Sequence, residues 1–161
     1  VIPFFLSVAK DGVLPIIDKR MTRFMITLEE GVELVWHAFN EMSGGLRGGD
    51  IYVKKIPSMK VTDIAKAINS KAKQEIIGIF PGEKIHEEMI SSGDAPYTYE
   101  YKSHYKILPA INAWSIDPNR INAGVKVDTK FTYTSDNNND WMDIDTLKNW
   151  IKVNKNKIGK I

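Results

Sequence analysis

Cysteine is absent from the 161 residues, which excludes a disulfide framework, a thiolate nucleophile and a cysteine-ligated metal. Histidine is scarce. His37, His86 and His104 are scattered along the chain, so a histidine metal site would need assembly by tertiary contacts alone. The stretch HEEM at 86–89 lacks the second histidine that a zinc-binding helix carries four residues on. No apolar run approaches the ~20 residues that span a bilayer. Residues 1–8 have neither the basic lead nor the small-residue cleavage site of a secretory signal. The expectation is a cytoplasmic protein with no membrane partner. An excess of one charge is missing too: 22 Lys and Arg against 20 Asp and Glu leave a net charge of +2. That excess sits mostly in a polar tail at about 152–161, through Lys152, Lys155, Lys157 and Lys160. It reads as a solvated terminus rather than a nucleic-acid arm. Self-contained catalytic motifs are also lacking, with no GxGxxG, P-loop, HExxH or GxSxG. The run DNNND at 136–140 fails as a calcium loop, because Trp141 and Leu147 stand where glycine and glutamate are needed.

What is present suits one domain with a modest core: 43% hydrophobic and 26% charged residues. There is no initiator methionine, and the opening VIPFF reads as the middle of something, so the expectation is a fragment. Residues 2–9 predict a short buried helix with Pro3 in its first turn, ended by Asp11-Gly12, and 14–17 a short strand. Residues 27–42 predict the most secure helix. Thr27 and Glu30 form a capping box, and Leu28, Val32, Val35, Trp36 and Phe39 make a stripe expected to face the core. His37 falls beside that stripe as a packed or half-exposed residue. The run 43–49 is a glycine-rich turn. A strand at 50–54 and a helix at 63–68 capped by Thr62 follow. Strands at 97–101 and 105–108 pair through a short turn, and 112–127 offers little regular structure. Asp143 caps a helix over 144–151, with Leu147, Trp150 and Ile151 inward. Nothing reads as an interdomain linker.

The stretch around which the chain is organised is QEIIGIFPGEKIHEEMI, 74–90. Residues 75–79 suit a strand buried on both faces, Pro81-Gly82 a tight turn, and Ile85, Met89 and Ile90 one side of a following helix. Phe80 to Glu83 would then lie at a strand's carboxyl end, where open α/β folds bind ligands. A plain turn, with Glu83 merely an acid in a helix's first turn, is the alternative.

PGEKIHEEMI resembles the RPGEKLHE motif of the inverting UDP-N-acetylglucosamine 4,6-dehydratases, extended short-chain dehydrogenase/reductases that begin pseudaminic acid synthesis for surface glycans. The stretches 21–32 (MTRFMITLEEGV), 51–66 (IYVKKIPSMKVTDIAK) and 94–110 (DAPYTYEYKSHYKILPA) are similar to the same family, as are 112–122 and 132–141. The resemblance implies an α/β chain: the C-terminal, substrate-binding part of an extended short-chain dehydrogenase (Rossmann-like) fold, lacking the N-terminal half. That half would bind NADP and carry the catalytic tyrosine and lysine, so this chain alone would bind no cofactor and supply no catalytic residue. The implied partners are a UDP-sugar, the missing half and, in the full-length protein, a homo-oligomer. The implied reaction oxidises the sugar at C4, removes water across C5 and C6, and returns the hydride at C6 with inversion at C5. Val1 matches an apolar substrate contact, Arg23 lies in the basic cluster near the nucleotide sugar, and Glu83 matches the glutamate of PGEK. Two positions depart. Ile17 stands where some members have threonine, and Phe80 replaces the arginine of RPGEK. A guanidinium forks a diphosphate and a phenyl ring does not. The glycine run at 43–49 is longer than the family's. A 4-epimerase, a capsular-polysaccharide dehydratase and a degenerate non-catalytic binding module remain as alternatives.

Overall fold

The structure is a computed structural model, and it describes residues 1–43, 48–111 and 116–158. Most of the glycine-rich turn, the first part of 112–127 and the end of the polar tail lie outside the described residues. In chain order the elements are α1 (Ile2–Val8), β1 (Val13–Ile16), β2 (Thr22–Phe24), α2 (Leu28–Ser43), β3 (Ile51–Lys54), β4 (Ser58–Lys60), α3 (Val61–Ile68) and β5 (Lys73–Ile76). There follow β6 (Glu88–Ile90), β7 (Thr98–Glu100), β8 (His104–Ile107), α4 (Pro118–Ile121), β9 (Val125–Lys126), β10 (Tyr133–Thr134) and α5 (Ile144–Val153). They fall into two compact units. The first comprises Val1–Met25, Pro57–Glu87 and Asn138–Ile161, the second Ile26–Ile56 and Glu88–Asn137.

In the first unit β1 and β5 pair in parallel, Val13 opposite Lys73 and Ile16 opposite Ile76, while β2 and β4 pair antiparallel. Pro3 occupies the first turn of α1, where its missing N–H costs nothing. Gly12, at φ 72°, turns the chain into β1. The core gathers Phe5, Leu14, Ile16, Met21, Ile64 and Leu147. Asp143 caps α5 by accepting the Thr146 N–H at 2.7 Å. The Asn-rich run docks on β4: the Ser58 N–H donates to the Asp140 carbonyl at 2.8 Å, and Asn138 Nδ2 to Ser58 Oγ at 3.0 Å. α3 begins two residues earlier than expected, with Lys60 at the cap and no side-chain capping bond, so Thr62 is not its cap.

The second unit holds a four-stranded antiparallel sheet in the order β3-β8-β7-β9, with β6 paired to β10. The Thr27–Glu30 capping box forms as expected. The Glu30 N–H donates to Thr27 Oγ1 at 3.2 Å, and the Thr27 N–H to Glu30 Oε2 at 2.9 Å.

The apolar stripe of α2 is not core. Leu28 is 82% exposed, Val35 68% and Trp36 61%, and no residue of α2 is fully buried. The physical reason is that the opposite side of the helix meets the sheet. Lys54 Nζ lies 3.4 Å from Glu33 and 4.0 Å from Glu30, Lys106 Nζ 3.5 Å from Glu41, and His37 packs on Tyr52 and His104. The expectation of little structure at 112–127 also gives way. Its described part forms α4 and β9, which carry the buried Arg120.

Candidate binding site

The site is built on the loop that leaves β5. The strand is shorter than expected and has one ladder neighbour, so Ile76, Ile77 and Ile79 stay about half exposed rather than buried on both faces. The Ile77 N–H still donates to the Ile16 carbonyl at 2.9 Å, carrying the pairing one step further. Pro81 and Gly82 then turn the chain. Gly82 lies at φ 84°, and the Glu83 N–H donates to the Phe80 carbonyl at 3.1 Å. Proline at the second position and positive-φ glycine at the third are the chemistry of a type II turn.

No helix follows, which corrects the expectation for 83–90. The carbonyls that a helix would bond internally are taken from outside. Arg23 Nη1 donates to the Ile85 carbonyl at 3.1 Å, Arg23 Nη2 to the Lys84 carbonyl at 3.1 Å, and the Thr22 N–H to the Ile85 carbonyl at 3.1 Å. Thr22 Oγ1 and His86 Nδ1 lie 2.8 Å apart. Beyond the loop, 88–90 becomes strand β6.

Arg23 is therefore the clamp of this site. Besides those carbonyls it donates to the Thr22 carbonyl at 2.8 Å and to Glu83 Oε1 at 2.9 Å, and its Nε lies 3.2 Å from Glu87 Oε1. A guanidinium has five N–H donors, and this set of contacts engages both Nη atoms and Nε. Its charge is met by two carboxylates, so what it contributes first is the position of Glu83 against β2.

All five residues singled out from the sequence, Val1, Ile17, Arg23, Phe80 and Glu83, line one cavity of about 280 Å³, together with Phe4 and Ile77. Ile17 makes part of its apolar wall, where a threonine would have offered a hydroxyl. Phe80 is about half exposed at the rim. The cavity offers apolar walls and a carboxylate held by a guanidinium whose donors the loop engages. Of the neighbouring basic residues, Arg20 pairs with Asp18. Its Nε and Nη2 donate at 3.0 and 2.8 Å, and this holds the Asp18 carboxyl down to about 2. β1 leads into the Asp18–Arg20 turn and β5 into the Pro-Gly turn, neither into the helix N-terminus that holds a pyrophosphate. No group of three or more potential metal ligands exists among the described residues. No helix among them is long and apolar enough to cross a membrane.

Comparison with known proteins adds to this geometry. The model of a family described as polysaccharide biosynthesis protein matches residues 1–109. Over 148 residues the chain is 47% identical to a UDP-N-acetylglucosamine 4,6-dehydratase (inverting) of Campylobacter jejuni, covering 88% of this chain and 43% of that protein. Over 112 residues it is 38% identical to a UDP-glucose 4-epimerase of Rickettsia canadensis, covering 66% of this chain and 32% of that protein. A crystal structure of Pen from Bacillus thuringiensis superposes with a TM-score of 0.76 over 96% of this chain and 46% of that one, at 24% identity. That likeness agrees with a mixed α/β, Rossmann-like fold. The chain spans less than half the length of the relatives it matches.

Proposed function

This chain belongs to the polysaccharide biosynthesis protein family, and from that premise we propose that it is the substrate-holding part of an inverting UDP-N-acetylglucosamine 4,6-dehydratase. In this reading it is one C-terminal region of an extended short-chain dehydrogenase fold. The NADP site and the catalytic groups belong to a part of that fold outside these 161 residues. The protein is cytoplasmic and acts in surface-glycan synthesis, as in the pseudaminic acid route. The single observation that carries the reading is convergence: five residues singled out from separate stretches of sequence, two of them matching the family and two departing from it, line one cavity.

Within that cavity each residue has a role that its chemistry supports. Val1 and Ile17 give apolar surface against the sugar or base. Glu83, fixed by Arg23, accepts hydrogen bonds from ligand hydroxyls. Phe80 offers a ring face for stacking and no donor for a diphosphate. With the donors of Arg23 engaged by the loop, a charged oxygen would have to displace one of those bonds.

The test is calorimetric titration with UDP-N-acetylglucosamine at fixed salt, on this chain joined to an intact N-terminal half from a relative. Phe80→Arg adds the missing fork and tightens binding by roughly 1.5–3 kcal/mol, the value of a hydrogen bond to a charged group. Glu83→Ala weakens it by less. Unchanged or lowered affinity in Phe80→Arg places the diphosphate elsewhere and defeats the reading. Product analysis by NMR separates a dehydratase from the 4-epimerase that the second group of relatives suggests.

A further inference from the structure

We propose that the exposed face of α2 is a self-association surface: a second copy of this chain lays its own α2 antiparallel across it in a twofold dimer. The starting observation is size. Leu28, Val32, Val35, Trp36, Phe39 and Met42 fall on one side of the 16-residue helix, and none is less than 47% exposed. Those fractions leave open roughly 800 Å² of side chain, about what one partner gives to a standard interface. The largest apolar patch on an ordinary monomer is about 300–600 Å². The rings at its centre are already placed. Trp36 and Phe39 pack edge to face at 6.0 Å, so these large side chains lose little freedom when covered. Tryptophan is also among the residues that carry most of the binding energy in protein interfaces.

The charges decide the class of partner. α2 holds Glu29, Glu30, Glu33 and Glu41 and no lysine or arginine. An anionic membrane or a nucleic acid is therefore repelled where a basic flank would be needed. Glu30 and Glu33 pair with Lys54, and Glu41 with Lys106. With those acids matched inside the unit, the face makes no demand for a basic protein either. What it asks for is another apolar surface of similar length, about 24 Å for 16 residues.

The order of residues along the stripe points to a copy of itself. About an axis between Val35 and Trp36, antiparallel pairing sets Val35 against the partner's Trp36 and Val32 against the partner's Phe39. Leu28 then meets the turn that carries the partner's Met42. Each contact occurs twice, as an isologous interface requires. At the centre a small valine faces a large ring both times, the alternation by which packed layers interdigitate. The helix dipoles run in opposition, which favours the pairing, and the two Glu29 side chains lie at opposite ends. A parallel pair is worse on the same residues: Trp36 would face the partner's Trp36, Glu29 the partner's Glu29, and the dipoles would align.

The test is sedimentation equilibrium of the 161-residue chain at micromolar concentrations. It reaches a single dimeric species, and Trp36→Ala raises the dissociation constant roughly thirtyfold, the worth of an interface hot spot. Val153→Ala, which removes a comparably exposed apolar residue from α5 of the other unit, changes nothing. Because the chain has no cysteine, single introduced thiols report the geometry. Mild oxidation of a mixture of Val32→Cys and Phe39→Cys chains gives the mixed disulfide. Either variant alone gives little, since its two thiols lie about 10 Å apart along the helix pair, beyond disulfide reach. This second readout decides the matter if Trp36→Ala misfolds by circular dichroism. The proposal is overturned by a monomer at these concentrations, by open-ended growth past the dimer, or by equal self-association of folded Trp36→Ala. It is overturned as well if Val32→Cys joins itself as readily as it joins Phe39→Cys. A last arm joins the chain to an intact N-terminal half from a relative. A monomer there whose Val35→Cys thiol resists labelling also overturns it, for then the rest of the fold covers the face. None of these outcomes bears on whether the cavity of the first unit holds a UDP-sugar.

Discussion

At residue scale the histidines divide by what surrounds them. His86 is tied to Thr22 in the first unit, and His104 is packed among rings in the second. Desolvation, aided by His37, Lys106 and Lys55 and only partly opposed by Glu41, lowers the His104 pKa from 6.5 to about 4. The unfolded chain accepts this proton near 6.5 and the folded chain does not until about 4. Stability is therefore fully present above about pH 6.5 and falls as the pH drops from there toward 4. The depressed carboxyls of Asp18 and Asp143 act only below that range. Urea midpoints measured between pH 7 and pH 5 show a decline that His104→Gln flattens, equivalent to about one proton taken up on unfolding at the acid end. An identical slope in wild type and His104→Gln contradicts this. Phe80 belongs to the same scale, since one ring in place of a guanidinium sets what the first cavity can offer a diphosphate.

Elements are joined in the second unit by a buried ionic knot. Asp50, just before β3, pairs with Arg120 of α4 and lies 3.4 Å from Lys106 of β8, which also donates to the Arg120 carbonyl at 2.9 Å and approaches Glu41 of α2. Burial, with Glu41 and Asp50 nearby, raises the neighbouring Tyr52 hydroxyl to about 12. Breaking a buried pair leaves an uncompensated charge, which costs about 3–5 kcal/mol. Asp50→Ala therefore loses that much by urea denaturation, whereas Glu100→Ala, which removes a more exposed partner of Lys55, loses less than about 1 kcal/mol. Equal effects from the two would show that the knot holds nothing together. In the first unit the comparable joint is Arg23, which captures carbonyls of 84–85 and leaves the loop in place of a helix.

At the scale of the whole molecule, the unusual feature is the face of α2. Leu28, Val32, Val35, Trp36 and Phe39 stand exposed in one stripe, and large apolar patches on soluble proteins mark surfaces that become covered. In the pairing inferred above a second copy covers it. The 161-residue chain then binds the dye ANS and self-associates as concentration rises. Replacing Val35 and Phe39 by glutamate reduces both, with little loss of helix by circular dichroism. A monodisperse monomer by light scattering, with no dye binding, would falsify the idea that this face needs a partner.

Much of the fold was legible because local chemistry decided it. Pro3, the Thr27–Glu30 box, the Pro81-Gly82 turn and the Asp143 cap each act within a few residues, and each forms as the sequence implies. The candidate site was legible through motifs at 21–32 and 81–90, but only tertiary structure brought Val1, Ile17, Arg23, Phe80 and Glu83 to one cavity. What the sequence misled on was decided by distant partners. Residues 83–90 have helical periodicity, yet Arg23 and Thr22, some 60 residues earlier in the chain, take the carbonyls a helix needs. The stripe of α2 has a core helix's spacing. Which side of a helix is buried depends on what it meets, and here Lys54, Lys106 and His104 of the sheet draw in its charged side. Periodicity records that a face is apolar; only the chain packed against it decides whether that face is covered.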